Sequence, residues 1–279
     1  MSHYFGSHIS ISNGLINAAK TVKKAGGNFL QIYLDKSSFE KIYPIHSKEL
    51  IKFKQFLIKN NMKLVIHTSY THNIARDWDK SSPWIHSLLL EIKYAHILGA
   101  IGIVIHFGKQ LELSLEEAYN NMYTSLVYIN KMSQDYQDVK IFLETTAGQG
   151  TEMCYKIEDL AYFFKKIKNI KTLKKRIKIC FDTCHVFSAG YCFKNKNNIK
   201  LFLDTFEELI GLKYIALVHL NDSKVDCGMR RDRHENIGKG YIGFSNLKLF
   251  FNFFKKRNIP IILETPNLGY LKEIPRLSK

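Results

Sequence analysis

Two patterns of apolar residues alternate along the whole chain. Eight runs are strand-like, and several of them are continuous in Ile, Val, Leu and Phe, which is typical of strands covered on both faces. These runs span residues 6–11, 29–35, 63–70, 102–108, 140–146, 178–185, 214–222 and 259–266. Between them, apolar residues recur at spacings of three and four, which predicts amphipathic helices. The helical segments span residues 14–24, 48–60, 84–98, 115–132, 157–168, 199–210 and 247–256.

This strand–helix alternation predicts an α/β fold with a parallel sheet. Eight strands in 279 residues suit a closed (β/α)8 barrel, the TIM barrel, and an open doubly wound sheet is the alternative. Since no linker, repeat or low-complexity tract interrupts the pattern, we expect one domain over residues 1–279.

The composition is that of a folded protein, with 46% hydrophobic residues and only 5 prolines. The sequence contains no apolar run of about 18 residues, so we expect no membrane span. The start, Met1-Ser-His-Tyr-Phe-Gly, lacks the basic and apolar regions of a secretory signal. We therefore expect an intracellular protein.

Lysine and arginine outnumber acidic residues by 41 to 25, which gives a net charge of +16. A basic surface attracts polyanions, of which nucleic acid is the obvious one. The same excess also arises when an AT-rich genome enriches Lys, Asn and Ile. Charge alone therefore leaves both interpretations open.

The cysteines favour a reducing compartment. There are five of them, an odd number without the short spacings of a disulfide framework, so we expect free thiols. Cys180 and Cys184 lie four apart, which is not zinc-finger spacing.

Candidate chemistry lies toward the ends of six consecutive predicted strands, in each of which the apolar run ends in a His, Asp or Glu. These residues are His67, His106, Glu144, Asp182, His219 and Glu264. The carboxyl ends of parallel barrel strands converge on one face, where active sites form. One such histidine alone would be an ordinary hydrogen-bonded residue, but buried acids and imidazoles are costly to cluster without a partner. The six together predict a cation site that suits zinc, with manganese as second choice.

A second group of candidate ligands follows from the long segment after the seventh strand. Asp232 and His234 lie two apart in this segment, and His185 lies three residues beyond Asp182. Long loops in compact domains are usually functional, although a solvated loop is the alternative. With these three residues the candidate ligands number nine, which is too many for one ion and enough for three.

At this point the motifs resemble those of the endonuclease IV family of apurinic/apyrimidinic (AP) endonucleases, from Gly6 to about Pro266. They are specific runs in the family's order. The runs are Gly6-Ser-His-Ile-Ser10, His67-Thr-Ser-Tyr70, Glu144-Thr-Thr-Ala-Gly-Gln-Gly150, Cys180-Phe-Asp-Thr-Cys-His185, His219-Leu-Asn-Asp-Ser-Lys224, Asp232-Arg-His234, Ile237-Gly-Lys-Gly240 and Leu263-Glu-Thr-Pro266.

The resemblance implies a (β/α)8 barrel with three zinc ions. By match, His67, His106 and Glu144 hold the first ion. Glu144 bridges to a second ion, whose other ligands are Asp182, His219 and Glu264. The third ion is held by His185, Asp232 and His234.

The implied activity is that of a metal-dependent phosphodiesterase of base excision repair. It cuts duplex DNA 5′ to an abasic site and leaves a 3′-OH and a 5′-deoxyribose phosphate. Clustered metal ions supply a nucleophile at neutral pH, stabilise charge on the phosphoryl group and help the leaving alkoxide. We expect Glu144 to be catalytic, by fixing the ions and accepting a proton from water, and the enzyme to be a monomer.

DNA contacts are expected at five further residues. Tyr70 matches a residue that the family inserts at the lesion, with a packed tyrosine as the alternative. Lys224, Arg230, Arg231 and Arg233 lie in the long loop and are expected to bind phosphates, unless they form an ordinary solvated charge run.

Three positions depart from the family pattern, and none of them is a candidate ligand. The family's Asn-Pro-Arg-like run after the second strand reads Asp35-Lys36-Ser37-Ser38, so Lys36 is the available substitute for its arginine. Phe107 replaces the usual proline after His106. Met229 replaces the usual serine after Gly228.

Two other functions remain open on the sequence. Sugar isomerases and epimerases also place His, Glu and Asp at barrel strand ends, around one or two divalent ions. A non-catalytic nucleic-acid-binding barrel is the other alternative. The second ligand group and the basic charge argue against the first, and the complete ligand set argues against the second.

Overall fold

A closed barrel of eight parallel strands is the core of the fold, as the alternation predicts. The computed structural model describes residues 3–34 and 36–279, apart from the side chains of residues 36–38. Around the barrel the strands follow the order β1-β10-β7-β6-β5-β4-β3-β2. They are β1 (Phe5–His8), β2 (Phe29–Tyr33), β3 (Lys63–His67), β4 (Gly102–His106), β5 (Lys140–Glu144), β6 (Ile177–Asp182), β7 (Ile215–His219) and β10 (Ile261–Leu263).

Helices surround the barrel and cover the outer faces of the strands. They are α1 (Leu15–Lys24), α2 (Lys36–Ile42), α3 (Lys48–Lys59), α4 (Pro83–Leu98), α5 (Leu115–Met132), α6 (Ile157–Lys168), α7 (Lys171–Arg176), α8 (Thr183–Ser188), α9 (Lys196–Leu209), α10 (Phe244–Lys256) and α11 (Tyr270–Ser278). Ser114 and Glu117 cap each other at the start of α5. The long segment after β7 contains a two-residue antiparallel ladder of β8 (Asp222–Ser223) and β9 (His234–Glu235).

The predicted strand over 178–185 is wrong at its end, because residues 183–188 form α8. The Asp182 carboxylate accepts a hydrogen bond from the backbone N–H of His185 and so caps this helix. An apolar run of this length fits a strand or a buried helix equally well, so periodicity could not find the boundary. Three further helices, α2, α7 and α11, also lacked a sequence prediction.

The barrel lumen is filled by one apolar side chain from each of seven strands. These are Phe29, Val65, Val104, Phe142, Cys180, Leu217 and Ile262, which form a cluster separate from the larger core between strands and helices. Side chains along a strand alternate between its two faces. The residue two positions later on each strand therefore also faces the lumen, one layer closer to the carboxyl end of the barrel.

Two of the cysteines depart from the expectation of free thiols. Cys192 and Cys227 form a disulfide, whereas Cys154, Cys180 and Cys184 are free and buried. The spacing could not reveal this pair, because its members are 35 residues apart in two different loops. Across the described residues, none of the helices combines the length and apolarity needed to cross a bilayer.

Candidate metal centre

Each of the six predicted ligands at a strand end lies two residues after one of the apolar side chains that fill the barrel lumen, which we call the lumen layer. Val65 precedes His67 by two, Phe142 precedes Glu144, and Ile262 precedes Glu264. The strand alternation that buries the apolar residue in the lumen thus aims the ligand into the mouth of the barrel. Six strands repeat this step, so six polar side chains meet above an apolar floor.

Glu144 lies at the centre of the first group of candidate ligands. Its side chain is fully buried at the end of β5. Oε2 of Glu144 lies 3.2 Å from Nε2 of His67 and 3.5 Å from Nε2 of His106. Its other oxygen, Oε1, faces His219 and His185. One carboxylate therefore connects several neighbouring imidazole groups.

The second group surrounds Nδ1 of His219 with three carboxylates. This nitrogen lies 2.7 Å from Oε1 of Glu144, 3.1 Å from Oε2 of Glu264 and 3.8 Å from Oδ2 of Asp182. These four residues could hold one cation between them, since an oxygen or nitrogen of each lies within 4.8 Å of the others. The resemblance implied the same four residues.

The third group joins α8 to the long loop after β7. Oδ1 of Asp232 lies 3.1 Å from Nε2 of His185 and 3.3 Å from Nε2 of His234. Nε2 of His234 is also 3.7 Å from Oδ2 of Asp182, which belongs to the second group. All nine predicted ligands thus lie in three adjoining groups, although their role as ligands stays a prediction.

The nitrogen and oxygen atoms of these groups are arranged more suitably for binding metal ions than for hydrogen bonding to one another. Among the described residues, the buried Nε2 atoms of His106, His185 and His234 lack a hydrogen-bond partner. Each nevertheless lies within 3.1–3.5 Å of a carboxylate oxygen, so nitrogen and oxygen ligand atoms are close together without a hydrogen bond between them. Imidazole nitrogens aimed beside carboxylate oxygens are the usual environment of zinc.

Burial and nearby charges change the pKa values of the histidines in this centre, and the direction of the change differs from one histidine to another. Burial lowers the pKa of His106 to about 4. Burial also lowers the pKa of His185, but Asp182 and Asp232 outweigh it and raise that pKa well above its ordinary value. The pKa of His219 is raised in the same way by Cys180, Glu264 and Glu144. The nearby carboxylates thus favour the charged form of His185 and His219, whereas burial favours the neutral form of His106.

Burial and the nearby histidines also change the pKa values of the carboxyl groups in this centre. Burial alone would raise the pKa of the Glu144 carboxyl, yet His219 and His106 hold it well below its usual value. His185 and His234 likewise lower the pKa of Asp232 against the effect of burial. Asp182 is the exception, since burial keeps its pKa raised. Carboxylates that stay ionised while buried are suited to holding divalent cations.

Sequence reasoning missed two residues at the mouth of the barrel. Gln31, on β2, is fully buried and bonds to His219 and Glu264. His8, at the end of β1, packs its ring 4.4 Å from that of Tyr33, and burial lowers its pKa to about 4. Gln31 also follows a lumen residue, Phe29, by two positions. That step is the sequence feature that could have identified it.

Other missed residues hold the ligands in place. Asn221 donates to Oδ2 of Asp182 and to Oε2 of Glu264. The backbone carbonyl of Thr145 lies 2.8 Å from Nδ1 of His185. A ring N–H bonded to a carbonyl fixes which nitrogen is left for a metal. Asn221 and Thr145 both lie within motifs of the resemblance, but nothing in those runs distinguishes them from their neighbours.

Tyr70 lies at the rim of the centre and is 68% exposed. Its hydroxyl is hydrogen-bonded to that of Tyr33 at 2.7 Å, and its ring lies 5.7 Å from His67 and 5.5 Å from His106. This tyrosine is therefore not packed in the core, which was the alternative interpretation. A role in DNA binding stays a prediction.

The four basic residues of the long loop are all exposed, but they differ in their contacts. Arg230 donates to the carbonyls of Gly148 and Gly150, and its guanidinium stacks 4.5 Å from the Tyr155 ring centroid. Arg233 donates to the carbonyl of Asp232. Lys224 and Arg231 make no side-chain hydrogen bond or ion pair to the described residues. A role of these four residues in phosphate binding stays a prediction.

Of the three departures from the family pattern, one lies outside the described residues. Asp35 and the side chain of Lys36 belong to the part that is not described. Phe107 is fully buried and packs edge-on against Phe163 at 5.9 Å, so it contributes to the core. Met229 is 53% exposed in the long loop.

Known proteins are similar to this chain in sequence and in fold. A family model described as a xylose isomerase-like TIM barrel matches residues 19–278. A protein of Mycoplasma mobile named probable endonuclease 4 is 36% identical and covers 98% of this chain and 94% of its own. The crystal structure of endonuclease IV from Thermus thermophilus matches with a TM-score of 0.80 at 25% identity, over 99% of this chain and 97% of its own. A D-tagatose 3-epimerase-like protein matches with a TM-score of 0.71 at 20% identity, over 98% and 96%, a likeness of fold alone.

Proposed function

The chain belongs to the endonuclease IV family, and from that premise we propose that it is a metal-dependent AP endonuclease of DNA repair. It cuts the phosphodiester 5′ to an abasic site in duplex DNA and leaves a 3′-OH and a 5′-deoxyribose phosphate. The observation that supports this most is the set of three adjoining ligand groups at one end of the barrel. Three groups suit three ions, which are zinc, or manganese at one or more sites.

The proposed hydrolysis needs divalent cations, which the three ligand groups can hold. Divalent cations there would supply a nucleophile at neutral pH, neutralise charge on the phosphoryl group and help the leaving alkoxide. In the reaction a water oxygen bonds to phosphorus, and the bond from phosphorus to the O3′ atom of the preceding nucleotide breaks. Glu144 accepts the proton of the water, since its carboxylate stays ionised although it is buried.

The other residues bind and orient the DNA. His106 is the most exposed ligand of the first group, with 19% of its side chain accessible, so the DNA backbone approaches the centre from its side. Tyr70 stands beside it at the rim and enters the gap left by the missing base. Lys224, Arg230, Arg231 and Arg233 bind phosphates of the flanking duplex. The baseless sugar turns into the pocket most easily where pairing is already lost.

Cleavage of an end-labelled duplex with one tetrahydrofuran abasic analogue tests the proposal. We expect one cut 5′ to the analogue with a 3′-OH end, and no cut in the same duplex with an intact base. A folded, cation-loaded protein that binds the duplex without cutting it would contradict an enzymatic role. Neither binding nor cutting would favour a sugar isomerase or epimerase.

The sugar-isomerase alternative calls for a separate measurement, because its barrels use one or two divalent ions. Elemental analysis of the purified protein counts the ions per chain. Three ions support the endonuclease, and one or two support the alternative.

Three further expectations stay predictions. They are that residues 1–279 form one domain, that the enzyme is a monomer, and that it works in the reducing compartment that holds the DNA.

A further inference from the structure

Two of the eight barrel strands place residues at the mouth that are not predicted ligands. The other six strands contribute His67, His106, Glu144, Asp182, His219 and Glu264. On β2 the corresponding step of two leads from Phe29 in the lumen to Gln31, and β1 ends at His8. A neutral carboxamide buried among carboxylates and imidazoles needs its own explanation.

Gln31 connects two ligands of the second group. Its Oε1 lies 2.8 Å from Nε2 of His219, and its Nε2 lies 2.6 Å from Oε1 of Glu264. The ionised carboxylate of Glu264 can only accept, so the NH2 group of Gln31 must face it and the carbonyl oxygen must face His219. Nε2 of His219 therefore carries the hydrogen of this bond.

This arrangement decides which ring nitrogen of His219 faces the carboxylates. When a cation displaces the second proton of the ring, the hydrogen that remains on Nε2 leaves the lone pair on Nδ1. Nδ1 is the atom that lies among Glu144, Glu264 and Asp182. A partner that fixes the tautomer of a ligand histidine typically changes metal affinity by about 10–100-fold.

We propose that Gln31 is the positioning residue of the second ligand group, because it sets the tautomer of His219 and the orientation of Glu264 together. The inference rests on the proposed function, since it assumes that this group holds a cation. Nothing in it requires Gln31 to touch the cation or the DNA.

His8 and Asn221 complete the arrangement from two sides. Nδ1 of His8 lies 3.2 Å from Nε2 of Gln31 and accepts its second N–H. The His8 ring is itself held against Tyr33. Asn221 binds the other oxygen of Glu264 and also accepts from its backbone N–H. Both oxygens of Glu264 are thus held by carboxamides, and Gln31 also reaches His219.

Two substitutions separate the two contacts of Gln31. Gln31→Met keeps the approximate volume but removes both hydrogen bonds. Gln31→Glu keeps an acceptor for His219 and places a carboxylate against that of Glu264, where like charges repel. Gln137→Met, at an exposed position away from the centre, is the matched control.

The measurements are zinc release to a chromogenic chelator and the histidine tautomer from 15N spectra of the rings. For Gln31→Met we expect one zinc per chain to be released about 10–100-fold faster than from the wild type, which is the loss of affinity expected when the rate of zinc binding is unchanged. The His219 ring should then lose its Nε2–H signature. Gln31→Glu should also release one zinc faster but keep that signature, and Gln137→Met should match the wild type.

The outcomes separate this inference from the proposed function. If wild-type protein binds no divalent cation, the proposed function fails and the inference fails with it. If wild type binds zinc and Gln31→Met releases it at close to the wild-type rate, only the inference is overturned. Loss of all the zinc at once together with a large fall in Tm would indicate general damage to the barrel, and would also overturn a specific role for Gln31.

Discussion

At the scale of single residues, Glu144 has the most demanding position. Its two oxygens face different histidines, with Oε2 toward His67 and His106 and Oε1 toward His219. A carboxylate can accept on both oxygens at once, whereas a carboxamide offers one acceptor and one donor. The geometry therefore needs a carboxylate here and not merely a polar side chain.

We expect Glu144→Gln to lower turnover on abasic-site DNA by at least about 100-fold, the lower range for loss of a general base. The amide removes the charge that holds cations and the group that accepts the proton. Steady-state cleavage by cation-loaded protein measures the effect, with Glu49→Gln at an exposed position of α3 as the control. Turnover within about threefold of wild type, roughly 0.7 kcal/mol, would exclude this role for Glu144.

The pKa shifts predict that cation binding releases protons. In the cation-free protein burial lowers the pKa values of His185 and His219, but the nearby carboxylates outweigh it and raise both, which favours the protonated form of each ring. A cation must displace such a proton to bind the ring. Zinc affinity should therefore rise as pH increases above 6.5. His106 should add no proton to this release, because its pKa is about 4.

Calorimetry of zinc binding in buffers with different ionisation enthalpies measures the protons released. We expect a net release at neutral pH that becomes smaller in His185→Ala protein. Binding heats that do not depend on the buffer would contradict the raised pKa values. An affinity that falls with rising pH would contradict the sign of the effect.

At the scale of elements, the long loop after β7 is held at several separate points. The Ser188 hydroxyl at the end of α8 donates to the carbonyl of Arg231 and accepts from its N–H. The N–H of Asp232 donates to Oε1 of Gln149. The buried Asp222 carboxylate accepts backbone N–H groups of residues 238, 240, 242 and 243. The loop that presents Asp232 and His234 is thus fixed from both of its ends.

The disulfide adds a covalent attachment to the same loop. Opening it with a reductant, or by Cys192→Ser, should lower the free energy of unfolding by roughly 3–4 kcal/mol, the loop-closure value for 35 residues. Zinc of the third group should also be released faster, since Asp232 and His234 follow Cys227 closely. Thermal unfolding and zinc release with and without dithiothreitol measure both effects.

The Cys192→Ser variant is the control for other effects of the reductant in this experiment. Dithiothreitol should shift the Tm of the wild type and leave that of Cys192→Ser unchanged. Equal responses of the two proteins would show that another group, and not this disulfide, is sensitive to the reductant. A wild type without any response would mean that the two cysteines do not stabilise the loop.

Sequence patterns predicted the elements that repeat and missed those that occur once. Six consecutive apolar runs end in a His, Asp or Glu, as at His67, Glu144 and Glu264, so six agreeing strands outweighed the ordinary interpretation of each. Gln31 also lies two residues after a lumen side chain, but it is an amide in the middle of β2, and such a residue has many structural uses. The six-residue helix α8 is too short for periodicity to separate it from a strand. The pairing of Cys192 with Cys227 depends on how two distant loops meet.

At the scale of the whole molecule, the apolar lumen of the barrel and the candidate ligand groups lie in separate layers. The lumen layer from Phe29 to Ile262 is apolar and closed, while the ligand groups lie above it at the carboxyl ends of the strands. The net charge of +16 belongs to the molecule as a whole. Arg231 lies at the ligand end in the long loop, whereas Lys175, on α7, precedes β6 and so lies at the opposite end.

That difference in position predicts how salt affects binding to duplex DNA. Each phosphate contact adds about 0.9 to the slope of log affinity against log salt concentration for B-form DNA. Arg231→Ala removes an exposed cation without disturbing a side-chain contact within the described residues. It should lower the slope by about one. Lys175→Ala removes the same charge from the far end and should leave the slope unchanged.

Fluorescence anisotropy titrations over a series of salt concentrations measure both slopes on one labelled duplex. Arg230→Ala extends the comparison, because Arg230 uses two of its donors on the carbonyls of Gly148 and Gly150. Its loss should weaken binding through the 148–150 segment and change the slope less than Arg231→Ala does. If Lys175→Ala lowered the slope as much as Arg231→Ala, the basic charge would attract DNA without orienting it. The ligand end would then have no electrostatic preference for the duplex.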